Sequence, residues 1–159
     1  MQTLNRALDL VKGSLEPEMT VLVIGPGMAS LAVTLAPRVR KVLCLDWEAS
    51  RLALAEHSVG NLDNVGFRLL SGPSLPVPDE SADMMFALGP LESERMPSLA
   101  DLARILRPGG RLCIFHDAES GAEEVRNTLV ALGFQEIQAA LSEPATSHTM
   151  IWGRKGAPR

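Results

Sequence analysis

The sequence predicts an α/β domain: a doubly wound, mostly parallel sheet of seven strands, with helices on both faces and an antiparallel hairpin at its C-terminal end. Three observations predict it. Short β-branched runs alternate with amphipathic helical stretches from residue 20 onward. The first strand passes through a glycine turn directly into a helix. The last two strand-like runs have only a loop between them, so they pair antiparallel.

Each element has a local reason. Leu4, Leu8 and Val11 share one face of an opening helix that Gly13 ends, and residues 1–18 read as N-terminal helix and linker. Thr20–Ile24 is the first strand, Gly25-Pro26-Gly27 the turn, and Ala29–Ala36 a helix stopped by Pro37. Lys41–Asp46 is the second strand and Ser50–Ser58 the second helix, with Leu52, Leu54 and Ala55 expected to face inward. Asn64–Leu70 is a third strand, followed by a loop, Gly72–Glu80, that contains Pro73, Pro76 and Pro78. Ala82–Leu88 is the fourth strand. A helix from near Pro97 to Arg107 then meets a sharp turn at Pro108-Gly109-Gly110, and Arg111–His116 is the fifth strand. Ser120 and Glu123 form a capping box for a helix with Val125, Leu129 and Leu132 on one face and Gly133 past its end. Phe134–Leu141 and Thr149–Lys155 close the sheet, and residues 156–159 read as a disordered tail. The 159 residues are expected to form one domain.

Composition removes several function classes. A net charge of -4 gives no general attraction to a phosphate backbone, and the densest basic group, Arg38, Arg40 and Lys41, reads as a solvated edge. No apolar run approaches the roughly 18–20 residues that span a bilayer. Asp9 and Lys12 interrupt what would be the apolar region of a signal peptide, so a cytoplasmic location is expected. Cys44 and Cys113 fall inside strand-like runs and read as buried thiols rather than a disulfide. His57, His116 and His148 lie far apart, with no metal-ligand spacing around them, and no metal is expected.

The segment VLVIGPGMASLA, Val21–Ala32, carries the most chemical information. A glycine turn between strand and helix lets a ligand approach the backbone, and a helix N-terminus offers unpaired N–H groups. About twenty residues later, Asp46 ends the adjacent strand, where a carboxylate accepts hydrogen bonds from ribose hydroxyls. The alternative is that Gly25 and Gly27 only permit tight helix-to-sheet packing.

Four stretches in order, VLVIGPG, VLCLDWEASRLALA, LPVPDESADMMFAL and ARILRPGGRLCIF, followed by ALGFQEIQ, resemble the class I S-adenosylmethionine-dependent methyltransferases. The likeness is to the branch that includes the ubiquinone and menaquinone biosynthesis enzymes, and it implies a Rossmann-like fold over nearly the whole chain. It implies S-adenosylmethionine as cofactor, with Gly25, Pro26 and Gly27 toward its methionine moiety and Asp46 on the ribose. Trp47 would face the adenine, Ser71 and Gly72 its edge, and Ala87 and Leu88 the methyl group. Trp47 serves equally as a packing residue at a helix start, and Ser71 as a turn cap. His116, beside Asp117 at the end of the fifth strand, is the candidate general base, with capping of the strand end as its alternative role.

The sequence departs from that pattern at three places. Val23 stands where the family usually has an acidic residue, Ala29 where it has a third glycine, and Ser71 where an aspartate commonly holds the adenine amino group. The fourth strand ends in ALGPLE, without a motif for nucleobase amino groups or a Pro-Cys nucleophile. Nor is there a large insertion to cover an active site, which points to a large acceptor that supplies its own cover, a partner chain, or no chemistry at all. The leading expectation is methyl transfer to an unidentified acceptor. The alternatives are a non-catalytic methyltransferase-like scaffold or partner-binding module, and a nicotinamide-dinucleotide-binding domain.

Overall fold

The strands and helices found in the computed structural model follow the alternation of the sequence. The structure describes Asp9 and residues 12–25, 28–72, 74–88, 98–116, 122–141 and 149–156. The strands are β1 (Thr20–Ile24), β2 (Lys41–Asp46), β3 (Val65–Leu69), β4 (Ala82–Leu88), β5 (Leu106–His116), β6 (Phe134–Leu141) and β7 (Thr149–Lys155). The helices are α1 (Met28–Leu35), α2 (Ala49–Val59), α3 (Leu99–Ile105) and α4 (Ala122–Ala131), with 3-10 turns at Lys12–Ser14 and Ala36–Arg38. Most of the expected opening helix, with Leu4, Leu8 and Val11, lies outside the described residues, as does the capping residue Ser120.

One sheet holds all seven strands in the order β3-β2-β1-β4-β5-β7-β6. The β1, β2, β3, β4 and β5 pairs are parallel, whereas β7 runs antiparallel to both β5 and β6, as the closing hairpin requires. Alternation along each strand sends successive side chains to opposite faces. Val21, Val23, Val42, Cys44, Met84 and Phe86 are buried on one face, under Met28, Leu31 and Leu35 of α1 and Leu52 and Ala55 of α2. Leu22, Ile24, Leu45, Met85, Ala87 and Ile114 are buried on the other, under Leu102 and Ile105 of α3, Leu129 of α4 and the loop residues Leu75 and Val77. The two cysteines are buried and unpaired, and burial pushes both thiols up to about 12. Among the described residues no helix is long and apolar enough to cross a membrane.

Three local expectations are corrected. Leu54 is 67% exposed, because Leu52, Ala55 and Val59 share the inward stripe of α2 and the 3.6-residue period turns position 54 outward. Helix α3 starts after Ser98, whose hydroxyl accepts from the Asp101 N–H at 3.1 Å, and stops at Ile105 rather than Arg107. Leu106 already pairs with Ala82, so Pro108-Gly109-Gly110 is not a turn between elements. It is a kink inside β5, where the register shifts between Ala82 and Met84. Glycine fits there because Gly109 has φ 84° and a Cβ on Gly110 would lie 2.8 Å from the Arg107 carbonyl oxygen. A second bulge, in β6 at Glu136 with φ 54°, has no glycine to announce it.

Candidate cofactor site

The parallel strands β1, β2 and β4 end side by side, and their carboxyl tips form the edge where open α/β sheets bind ligands. Gly25 follows β1 at this edge. Its N–H donates to the Leu45 carbonyl at 3.1 Å, and its φ of 102° lies in the region that favours glycine. A Cβ at this position would come within 2.0 Å of the Leu88 carbonyl oxygen at the tip of β4. The strand tips therefore require glycine for their own packing. Pro26 and Gly27 lie outside the described residues.

Asp46, the last residue of β2, is the one buried charged or polar side chain among the described residues. Its partner is Arg51, from the first turns of α2. The Arg51 Nε donates to Oδ2 at 2.9 Å and a terminal guanidinium nitrogen donates to Oδ1 at 2.9 Å, a two-pronged ion pair. The Glu48 N–H also donates to Oδ1, at 3.0 Å, and a second ion pair of 3.2 Å joins Arg51 to Glu48. Burial alone would raise the Asp46 pKa. The Arg51 hydrogen bond and charge, with the Glu48 and Trp47 N–H groups, outweigh burial and hold the carboxyl below its ordinary value. Asp46 has no exposed surface although Arg51 is 44% exposed, so the guanidinium itself helps to seal the carboxylate from water.

Trp47 leans the other way. Its half-buried ring packs beside the second core face, and its indole N–H donates to the Gly72 carbonyl at 2.9 Å. The Leu70 N–H donates to the Asp46 carbonyl at 2.7 Å, which extends the β2–β3 ladder by one bond. Asp46, Trp47 and Gly72 thus form one cluster at the edge, whereas the adjacent Ser71 is exposed. The following loop is fastened from below. Arg104 of α3 donates to the carbonyls of Leu75 and Val77 and to the carboxylates of Asp79 and Asp101, and Asp101 accepts the Leu75 N–H at 2.8 Å.

At the other expected positions the surroundings are apolar. Ala87 is fully buried and pairs with Ile24, and Leu88 is buried at the strand tip. Val23 is fully buried between its strand partners Cys44 and Phe86, so the position usually held by an acidic residue is core here. The backbone of His116 ends β5 opposite Thr149, while Asp117 lies outside the described residues. Sequence reasoning missed Arg51. Its signal was present: five residues after a strand-end aspartate, the first turns of a following helix pass back over the strand tip.

A ribose and a purine need hydroxyl acceptors and an apolar surface, and both residue types stand at this edge: the ionised Asp46 carboxylate, covered by Arg51 in this structure, and the half-buried ring of Trp47. The chemistry of the donor set therefore fits an adenosyl group.

Known proteins give the same picture at the level of family and fold. A family described as a methyltransferase domain matches residues 22–114, more than half of the chain. A demethylmenaquinone methyltransferase from Tropheryma whipplei is 35% identical over 97 residues, covering 59% of this chain and 40% of that protein. Methyltransferase GfsG of Streptomyces halstedii is 34% identical over 87 residues, covering 54% and 31%. The chain thus spans less than half the length of these curated relatives. A similar solved structure is the S-adenosylmethionine-dependent O-methyltransferase of Thermotoga maritima, with TM-score 0.79 and 18% identity, covering 98% of this chain and 65% of that one. Another is the YcgJ protein of Bacillus subtilis, with TM-score 0.78 and 15% identity, covering 98% and 99%. The chain belongs to the methyltransferase domain family, and its sheet is the class I methyltransferase fold.

Proposed function

We propose that this chain is an S-adenosylmethionine-dependent methyltransferase whose cofactor lies across the tips of β1, β2 and β4. The observation that carries the proposal is Asp46: a buried carboxylate held ionised at the end of β2, beside the glycine bend of β1. Family membership and the resemblance of the ordered motifs support it.

In this reading Asp46 accepts the two ribose hydroxyls. The Trp47 ring faces the adenine, with the Ser71–Gly72 backbone along its edge. Gly25, Pro26 and Gly27 border the methionine moiety. Bound there, S-adenosylmethionine supplies an electrophilic methyl group on sulfur. The protein's share is to align an acceptor with that methyl group and keep water away, and Ala87 and Leu88 give an apolar floor for this. His116, at the end of β5, is the candidate base for an acceptor that must lose a proton. The short connections after β4 and β5 leave little chain to cover the site, so the acceptor itself or a partner chain completes it.

Calorimetric titration with S-adenosylhomocysteine tests the reading. Saturable binding is expected, and no binding at about millimolar ligand, a free energy near -4 kcal/mol, overturns it. Binding without methyl transfer to any acceptor would favour a methyltransferase-like scaffold. That second reading draws on Arg51, which already occupies the carboxylate the cofactor needs.

A further inference from the structure

An ionised carboxylate has about four lone-pair sites for hydrogen bonds. The chain's own donors take at least three of those on Asp46: Arg51 Nε, a terminal Arg51 nitrogen and the Glu48 N–H. Two ribose hydroxyls bring two more donors, so the set exceeds the capacity of the carboxylate by at least one. The Glu48 N–H is fixed by its place next to β2, at the entry to α2. Arg51 is different: its side chain is 44% exposed, and its hydrogen-bond acceptors are carboxylates only. It reaches water at little cost.

We infer that Arg51 is an exchangeable latch on the ribose carboxylate, a positioning residue that aims Asp46 and yields one or both of its hydrogen bonds when ribose hydroxyls arrive. The inference rests on the proposed adenosyl site and adds the residue that sets its affinity. Glu48 supplies the place to which the guanidinium moves, since it already holds another terminal nitrogen of Arg51 at 3.2 Å. The latch makes cofactor binding a swap of partners at Asp46 rather than a simple addition. It also lies over a carboxylate that has no exposed surface of its own.

The test compares S-adenosylhomocysteine affinity of the natural chain, Arg51→Met, Asp46→Ala and the double variant by calorimetry. Methionine keeps an unbranched apolar stem over the strand tip and removes the competing donors. Arg51→Met is expected to bind about two- to fivefold more tightly, the range of an ion pair whose arginine is half exposed. In the Asp46→Ala background the same substitution is expected to change affinity by less than about twofold, because the competition is gone. A structural role for Arg51 would instead weaken binding, and to the same degree in both backgrounds. In the natural chain, the Arg51 Nε–H resonance is expected to lose its hydrogen-exchange protection on saturation with S-adenosylhomocysteine. Binding by the natural chain with no gain in Arg51→Met, or with Nε–H protection retained, overturns the latch and leaves the adenosyl site standing. Binding by neither chain overturns the adenosyl site and the latch together.

Discussion

Two arginine–aspartate pairs lie at the two borders of the loop between β3 and β4, and they are built differently. Arg104 reaches Asp101 at 2.8 Å and also takes the carbonyls of Leu75 and Val77, so its guanidinium is tied to backbone. Arg51 reaches Asp46 and Glu48, and both of these acceptors are side-chain carboxylates. A carbonyl in a fixed loop cannot turn away, whereas a carboxylate can exchange one donor for another. The same residue types therefore make a clamp in one place and a replaceable cover in the other. The clamp lies beneath loop residues that enter the core. The cover lies over the acceptor that a ribose would use.

The largest effect that would break this contrast is on stability. Arg104→Met removes bonds to Leu75, Val77 and Asp101, plus one to Asp79, which is 73% exposed and contributes little. Three effective bonds at about 1 kcal/mol each give a loss of about 3 kcal/mol, a fall of roughly 6–12 °C in the unfolding midpoint. Arg51→Met is expected to cost no more than about 1 kcal/mol, because Arg51 is half exposed and the Glu48 N–H still donates to the Asp46 carboxylate. Thermal unfolding of the two variants side by side checks both, and equal losses would erase the difference between clamp and cover.

The next effect is on binding. Asp46→Ala is expected to leave the fold intact and to weaken S-adenosylhomocysteine by about tenfold or more, the scale of a hydrogen bond to a charged group. Calorimetry reads it, and unchanged affinity would move the ribose to another residue. Trp47→Phe keeps an aromatic face but leaves the Gly72 carbonyl without its indole donor. Its expected cost is about 1 kcal/mol of stability in chemical denaturation. An unchanged midpoint would mean that the tie between β2 and the β3–β4 loop carries no strain-free energy of its own.

What was legible in the sequence followed from periodicity and from strand ends. Thr20–Ile24, Lys41–Asp46, Ala82–Leu88 and the closing hairpin stand where alternation and turn residues put them. Asp46 was legible because it ends the strand beside the glycine turn, about twenty residues after it. Its partner was not, since an arginine on a helix reads as solvated until the helix is placed over the strand tip. Pro108-Gly109-Gly110 misled for the opposite reason. These residues carry a turn signal, yet the β4 pairing that starts at Leu106 absorbs them as a kink within one strand. The Glu136 bulge left no mark in the sequence, because its positive φ follows from the β6–β7 register and not from residue type.

The smallest expected effect concerns acid and the carboxylate under Arg51. The folded Asp46 carboxyl is held below its ordinary value, so as pH falls the unfolded chain takes up the proton first. The stability that Asp46 contributes is complete above the ordinary carboxylate value of about 4 and is lost as pH drops through the lower folded value. The stability gap between the natural chain and Asp46→Ala, less than about 1 kcal/mol at neutral pH because Arg51 is exposed, is therefore expected to narrow only below about pH 4. Urea unfolding of both chains between neutral and acid pH measures the gap. Were it to narrow near neutral pH instead, the carboxyl would be held above its ordinary value, burial would outweigh Arg51, and the cover would be too weak to act as a latch.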